Sequence, residues 1–395
     1  MRVREDPIVF SIFLIFAGAA LVATLALYAR QAMLVAYILL GMILGPWGMK
    51  LVVDSEWIGD VSHIGIMFLL YLLGINLQPA QLARMFREAL WVTVASSACF
   101  ALLGAVVAIG MGFALREAIV IGAAMMFSST IIGLKLLPTT TLHHQRMGQI
   151  MISVLLLQDL MAIAVLLLLQ GYSTAHAGGG RVLADIGLQV GALLLLVAVA
   201  VTVERQIVER LIARFDKIQE YLFLLVIAWC LGIAEFARFL GLTNEIGAFI
   251  AGVALASSPI ALFIAESLKP LRDFFLVMFF FSLGANFNLG ALPSVFIPAA
   301  AIAILALAVK PAIFRLLLVR AGERSDQSLE IGARLGQISE FSLLISVLAA
   351  SGGYINAEGA HVVELATLLS FVISTYCVVM RYPTPMAVSD RLRRD

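Results

Sequence analysis

Charge is what this chain has least of. Only 13% of its 395 residues are Asp, Glu, Lys or Arg, and 62% are hydrophobic, with a mean hydropathy of +1.04. A soluble domain carries about a quarter charged residues. The longest polar gaps, around Gly178–Arg181 and Glu204–Lys217, are too short to bury a core, so no soluble domain is expected in these residues. Cysteine is almost missing: Cys99, Cys230 and Cys377 each fall inside an apolar run, which excludes a disulfide framework and any metal-ligand spacing. Enzyme signatures are absent too. There is no GxxxxGKS/T phosphate loop, no HExxH, no GxSxG and no CxxC. An intramembrane aspartyl protease needs two facing aspartates, and the chain has one deep candidate. Neither a cofactor nor a nucleic-acid partner is expected, and the net charge of +1 carries no information.

Long apolar runs are what the chain has instead. They predict an all-α polytopic membrane protein of about thirteen spans, near 9–28, 32–48, 61–77, 89–112, 118–137, 147–170, 185–203, 219–240, 244–259, 273–288, 293–318, 329–350 and 363–381. The first is too long for a signal-peptide core and suits a retained span. With thirteen spans, the loops on the N-terminal side hold 6 basic residues, such as Arg2 and Arg116. The opposite side holds 18, such as Arg84, Arg210 and Arg394. Positive charge favours the cytoplasm, which predicts an outside N-terminus and an inside C-terminus. Lys310 and Arg334 alone remain within spans.

Two spans carry polar interruptions. The fifth, "EAIVIGAAMMFSSTIIGLKLLP", holds Ser128, Ser129 and Thr130; the twelfth, "IGARLGQISEFSLLISVLAA", holds Gly336 to Glu340. Each is the second of three consecutive spans, four to six and eleven to thirteen. Breaks in corresponding places predict an inverted repeat, with an ion site at the midplane between two broken crossover helices. Carbonyls freed at such breaks take cations.

Asp159 is the leading candidate for that site. It lies about twelve residues into a span of about 24, "VLLLQDLMAIAVLLLLQ", where a carboxylate costs roughly 2.5 kcal/mol or more on insertion scales. A proton and a cation would compete for this one group. Gln158 beside it supplies a carbonyl ligand or a donor that orients the carboxylate. Lys310, next to Pro311 in "AILALAVKPAIFRLLL", is the expected ion-pair partner of Asp159. Ser128, Ser129 and Thr130 offer either hydroxyl ligands or packing contacts. Gln337 and Glu340 share a helix face at the second break, and Glu340 is expected to form a structural bridge with Arg334. Glu235 reads as a local pair with Arg238, Glu245 with Asn244 and Thr243 as helix-start chemistry, and His63 as interfacial. Gly41, Gly45 and Pro46 suggest a close helix crossing.

These residues carry a family likeness. "YILLGMILGPWG", "IGIMFLLYLLGINLQPAQL", "FSSTIIGLKLL", "LLLQDL", "NEIGAFIAGVALA", "VMFFFSLGANFNL", "LAVKPAI" and "GARLGQISEFSLLI" occur in the order of the monovalent cation:proton antiporters. The chain most resembles their Kef-type potassium efflux branch, from the second span to the thirteenth. The resemblance implies a multi-pass protein of the cell (inner or plasma) membrane, working as a homodimer in the lipid bilayer. It implies a mobile core, helices about 89–170 and 293–381, and a dimerisation scaffold made of the rest, with elevator-type alternating access. By position, Asp159 resembles the ion-binding acid and Gln158 its neutral predecessor, typical of the potassium branch. Lys310 resembles the lysine of the second repeat, Ser128 to Thr130 the first crossover and Gln337 to Glu340 the second. One acid implies electroneutral exchange of K+, favoured over Na+, for H+. Departures are His63 and Asn76 where relatives often carry acids, and Ile338 and Ser339 at a commonly Gly-rich break. Kef-type relatives also carry a cytoplasmic nucleotide-binding regulatory domain; a regulatory domain or subunit is a possible partner here. The alternatives are a cation-coupled organic-anion symporter on a similar scaffold, and a membrane sensor or tether for a cytoplasmic domain.

Overall fold

The computed structural model describes residues 7–52, 55–76, 79–135, 146–177, 182–215 and 218–384. The polar gap 178–181 and the terminal stretch 385–395, both singled out in the sequence, lie outside the described residues. Within them the regular structure is helical, in the order α1 (Pro7–Tyr28), α2 (Met33–Leu44), α3 (Ser55–Asn76), α4 (Pro79–Gly110), α5 (Leu115–Met125), α6 (Thr130–Lys135), α7 (Arg146–Ala177) and α8 (Val182–Val203). The second half continues with α9 (Glu209–Phe215), α10 (Gln219–Phe239), α11 (Asn244–Leu255), α12 (Ala261–Asn286), α13 (Leu292–Arg320), α14 (Ser325–Arg334), α15 (Glu340–Ser351) and α16 (Ala357–Arg381). Among the described residues, eight helical stretches are long and apolar enough to cross a membrane, and three shorter apolar helices accompany them.

Some boundaries move. The stretch read as a polar gap after 203 is helical as far as Phe215: a π-turn at Glu204–Val208 joins α8 to α9. Glu204 is buried there and Arg205 exposed, so one extra residue per turn re-aims the polar pattern without ending the helix. The expected tenth and thirteenth spans begin earlier than read, at Ala261 and Ala357, because amphipathic turns precede the apolar runs. Gly45 ends α2 as its C-cap, immediately before Pro46.

The chain divides into two compact units, each assembled from separated stretches. One comprises Leu51–Ala83 and Leu167–Ala285. In it α3 and α11 cross at glycines: a β-carbon on Gly252 would stand 2.1 Å from the Tyr71 carbonyl oxygen. Trp229 Nε1 donates to the Ala251 carbonyl at 3.0 Å, and the Phe68 and Phe275 rings stack at 5.5 Å.

The other unit comprises Met1–Lys50, Arg84–Leu166 and Asn286–Asp395 and holds both expected breaks. They are real interruptions. Helical geometry stops after Met125 and resumes at Thr130, and it stops again after Arg334 and resumes at Glu340. The lead-in to each is built alike. After α4 the chain turns at Gly112 (φ +93°) into α5, and after α13 it turns at Gly322 (φ +96°) into α14, left-handed positions that favour glycine. Ile121, Phe287, Val295, Ile302, Ile338 and Val363 belong to one apolar core; Phe100, Met151, Val154 and Phe314 belong to another.

Candidate functional site

A helix that stops inside a protein strands its last carbonyls and the next helix's first amides. At the first break the stranded groups find partners on three other helices. The Met126 carbonyl accepts from Gln158 Nε2 at 3.2 Å, and the Ser128 amide donates to Gln158 Oε1 at 3.0 Å. Gln158 thus reads both edges of the break with one amide, a task that neither an acid nor a base can perform alone. The Phe127 carbonyl accepts from Lys310 Nζ at 2.6 Å, and the Ser129 carbonyl from Gln337 Nε2 at 3.3 Å. Ser342 Oγ donates to the Ala124 carbonyl.

The second break is closed by the same set in reverse. Ser128 Oγ donates to the Leu335 carbonyl at 2.7 Å, and Lys310 Nζ to the Gln337 carbonyl at 3.0 Å. The Ile338 amide donates to Ser370 Oγ at 3.0 Å, and Ser374 Oγ donates to Gln337 Oε1 at 3.1 Å. Ser339 caps α15, its hydroxyl accepting from the Phe341 amide. Ser129 Oγ likewise accepts from the Ile132 amide as α6 starts. The two breaks are therefore one hydrogen-bonded crossing.

Asp159 sits at this crossing, 1% exposed. Its carboxylate oxygens share the Thr130 hydroxyl, at 3.0 and 3.2 Å. That is one donor hydrogen for an acceptor that takes several, which leaves coordination capacity on a buried acid. Lys310 is fully buried, yet the structure places its ammonium on the Phe127 and Gln337 carbonyls and 5.3 Å from the centre of the Phe100 ring, not on Asp159. The physical reason is that both carbonyls lie just past helix C-termini, where partial negative charge gathers. Two such ends give a cation neutral, polar company without a carboxylate.

The Arg334 guanidinium meets Glu330 at 2.7 Å one turn earlier on α14, the Pro383 carbonyl at 2.8 Å and the face of Tyr382. Helical i, i+4 spacing brings Glu330 into reach. Glu340, 5% exposed, opens α15. The Glu235–Arg238 pair forms at 3.0 Å. Glu245 lies in the first turn of α11, after Thr243 and Asn244, and is also buried, accepting from His63 Nε2 at 2.8 Å while the His63 side chain stays half exposed.

The sequence reading missed buried hydroxyls around the crossing: Ser370 and Ser374 meet the second break and Ser342 the first. Thr367, Ser370 and Ser374 on α16 and Ser342 on α15 are all buried. Their signal was present as spacing, since i, i+3 and i+7 place α16's three hydroxyls on one face. In a membrane helix that spacing also suits plain packing.

A buried acid with spare coordination, set where two broken helices cross in a helical membrane protein, defines a secondary ion transporter. The transmembrane sodium/hydrogen exchanger family matches residues 13–380, and the chain belongs to it. It is a multi-pass membrane protein for cation:proton antiport, not an enzyme. The fold is similar to that of the sodium proton antiporter MjNhaP1 from Methanocaldococcus jannaschii at pH 8, with a TM-score of 0.68 at 18% identity over 93% of this chain and 95% of that chain. A second structure of that antiporter, an electron-microscopy map, gives 0.62 at 17% identity over 95% and 94%.

Proposed function

We propose that this chain exchanges K+, in preference to Na+, for H+, one for one, with Asp159 as the shared carrier. The observation that carries the reading is Asp159, a buried carboxylate at the crossing whose hydrogen-bonded donor is one hydroxyl, next to a glutamine already committed to the break. One acid that binds either one proton or one monovalent cation moves one charge each way, so exchange is electroneutral. Gln158 holds the helix break and, being neutral, adds no proton of its own to the count. Lys310, resting on carbonyls, keeps its proton throughout the cycle in this scheme.

The same reading makes the protein a homodimer of the cell membrane, with about thirteen spans, its N-terminus outside and its C-terminus inside. Two three-span groups, α4 with the broken pair α5–α6 and α7, and α13 with the broken pair α14–α15 and α16, form an inverted repeat. The like-built turns at Gly112 and Gly322 and the two breaks support that relation. An elevator-type movement of the crossing carries the ion between the two sides. The symporter and tether readings give way to exchange on family membership.

Proteoliposomes containing a pH-sensitive dye test the proposal. Adding K+ outside should release protons from the lumen without a membrane potential, Na+ should do so less well, and Asp159→Asn should stop it. Full exchange by Asp159→Asn, or exchange that generates a potential, would overturn the shared-carrier scheme.

A further inference from the structure

The outer face of α13, the helix that carries Lys310, bears a groove of about 520 Å³. Its wall is apolar, with Pro311, Ala312, Leu316 and Val319 on α13 and Leu329 on α14. Arg315, Arg320 and Ser325 line it as well. Leu316 is 51% and Val319 43% exposed, so the face of α13 that borders the groove is uncovered in the isolated chain.

The two arginines are not engaged by carboxylates as several other cations are. Arg146, Arg238, Lys269, Arg272 and Arg334 each meet a carboxylate. Neither Arg315 nor Arg320 has an ion pair among the described residues; Arg315 Nε instead donates to Ser325 Oγ at 3.0 Å, which aims the guanidinium and leaves its terminal nitrogens to other acceptors. Depth is consistent with an anionic headgroup. The apolar stretch Leu289–Arg320 has 32 residues, about 48 Å of helix against a hydrocarbon core of about 30 Å. Its last turns, with Arg315 and Arg320, therefore reach the headgroup layer while the wall nearer Pro311 lies among acyl chains.

We propose that this groove is a site for one anionic phospholipid, its phosphate between Arg315 and Arg320 and one acyl chain along α13 toward Pro311. Charge complementarity selects the headgroup, because paired guanidiniums take a phosphate through several charge-assisted hydrogen bonds. The site backs onto the crossing. Gly332 of α14 packs so tightly on Pro311 that a β-carbon there would lie 2.7 Å from the Pro311 α-carbon, and Pro311 adjoins Lys310. A lipid seated in the groove braces the α13–α14 contact from behind.

The test uses the full chain, purified and delipidated in a neutral detergent, with thermal unfolding and native mass spectrometry as readouts. Phosphatidylglycerol should raise the unfolding midpoint by roughly 3 °C or more and remain bound in the gas phase. Phosphatidylcholine and inorganic phosphate should do neither, since one lacks net charge and the other lacks a chain. Arg315→Gln with Arg320→Gln should weaken phosphatidylglycerol binding by about tenfold or more. Leu316→Trp, which fills the groove and keeps both arginines, should weaken it as well. Equal protection by phosphatidylcholine, protection by phosphate alone, or undiminished binding in both variants would overturn the proposal. Arginines that merely anchor the helix end would leave Leu316→Trp without effect, and that outcome counts against the site. Because the readout is binding, it is independent of whether Asp159 carries K+.

Discussion

At the scale of single residues, Lys310 has become more informative than Asp159. A lysine without a carboxylate partner is costly in a membrane, and here two backbone carbonyls meet that need. Removing the ammonium strands both carbonyls in a dry place, at about 1–3 kcal/mol each. Lys310→Met should therefore lower the thermal unfolding midpoint by several degrees, measured in detergent beside the wild-type chain. An unchanged midpoint would mean that water replaces the ammonium. The sequence made the depth and identity of Asp159, Gln158 and Lys310 plain, because a polar residue is conspicuous among leucines. It did not reveal who holds whom. Asp159 and Lys310 were natural partners by charge alone, and the carbonyls of Phe127 and Gln337 are invisible in a sequence, since every residue has one.

Whole elements were easier to read, and for a clear reason. The bilayer requires about twenty apolar residues per span and leaves polar breaks exposed as anomalies, so the interruptions at Ser128 and Gln337 could be placed to within a few residues. Less legible were helices whose polar turns extend beyond the apolar run, such as the continuation of α8 through a π-turn to Phe215. The contact between α13 and α14 was not legible at all, because Gly332 looks like any glycine in a membrane helix. Its setting makes a sharp prediction. Gly332→Ala should separate α14 from Pro311 and lower both thermal stability and exchange rate, the former by about 2 kcal/mol or more. Gly232→Ala is the control: nothing lies within 4 Å of the added carbon, so helix propensity alone should leave stability equal or slightly higher. Equal losses in both variants would assign the effect to helix chemistry instead of packing.

For the molecule as a whole, the uneven distribution of 6 and 18 basic residues predicts where the chain ends. A fluorescent protein that folds only in the cytoplasm should light up when fused after Asp395, whereas a periplasmically active phosphatase at the same point should stay silent; the reverse pattern would mean an even number of spans or the opposite orientation. The order of synthesis then becomes a problem of its own. The unit that holds the crossing includes α16, which has 72% of its apolar stretch buried, the highest share among the eight long apolar stretches of the described residues. Asp159 enters the bilayer some two hundred residues before it. The Thr130 hydroxyl and the Met126–Ser128 backbone that Gln158 reads are already present by then, so the acid's own neighbourhood forms locally. Gln337, Ser370 and Ser374 arrive only later. A nascent chain therefore carries half a crossing until α16 is made, and that helix acts as the keystone whose loss would strip the second break of the Ser370 and Ser374 hydroxyls and leave the protein open to membrane quality control.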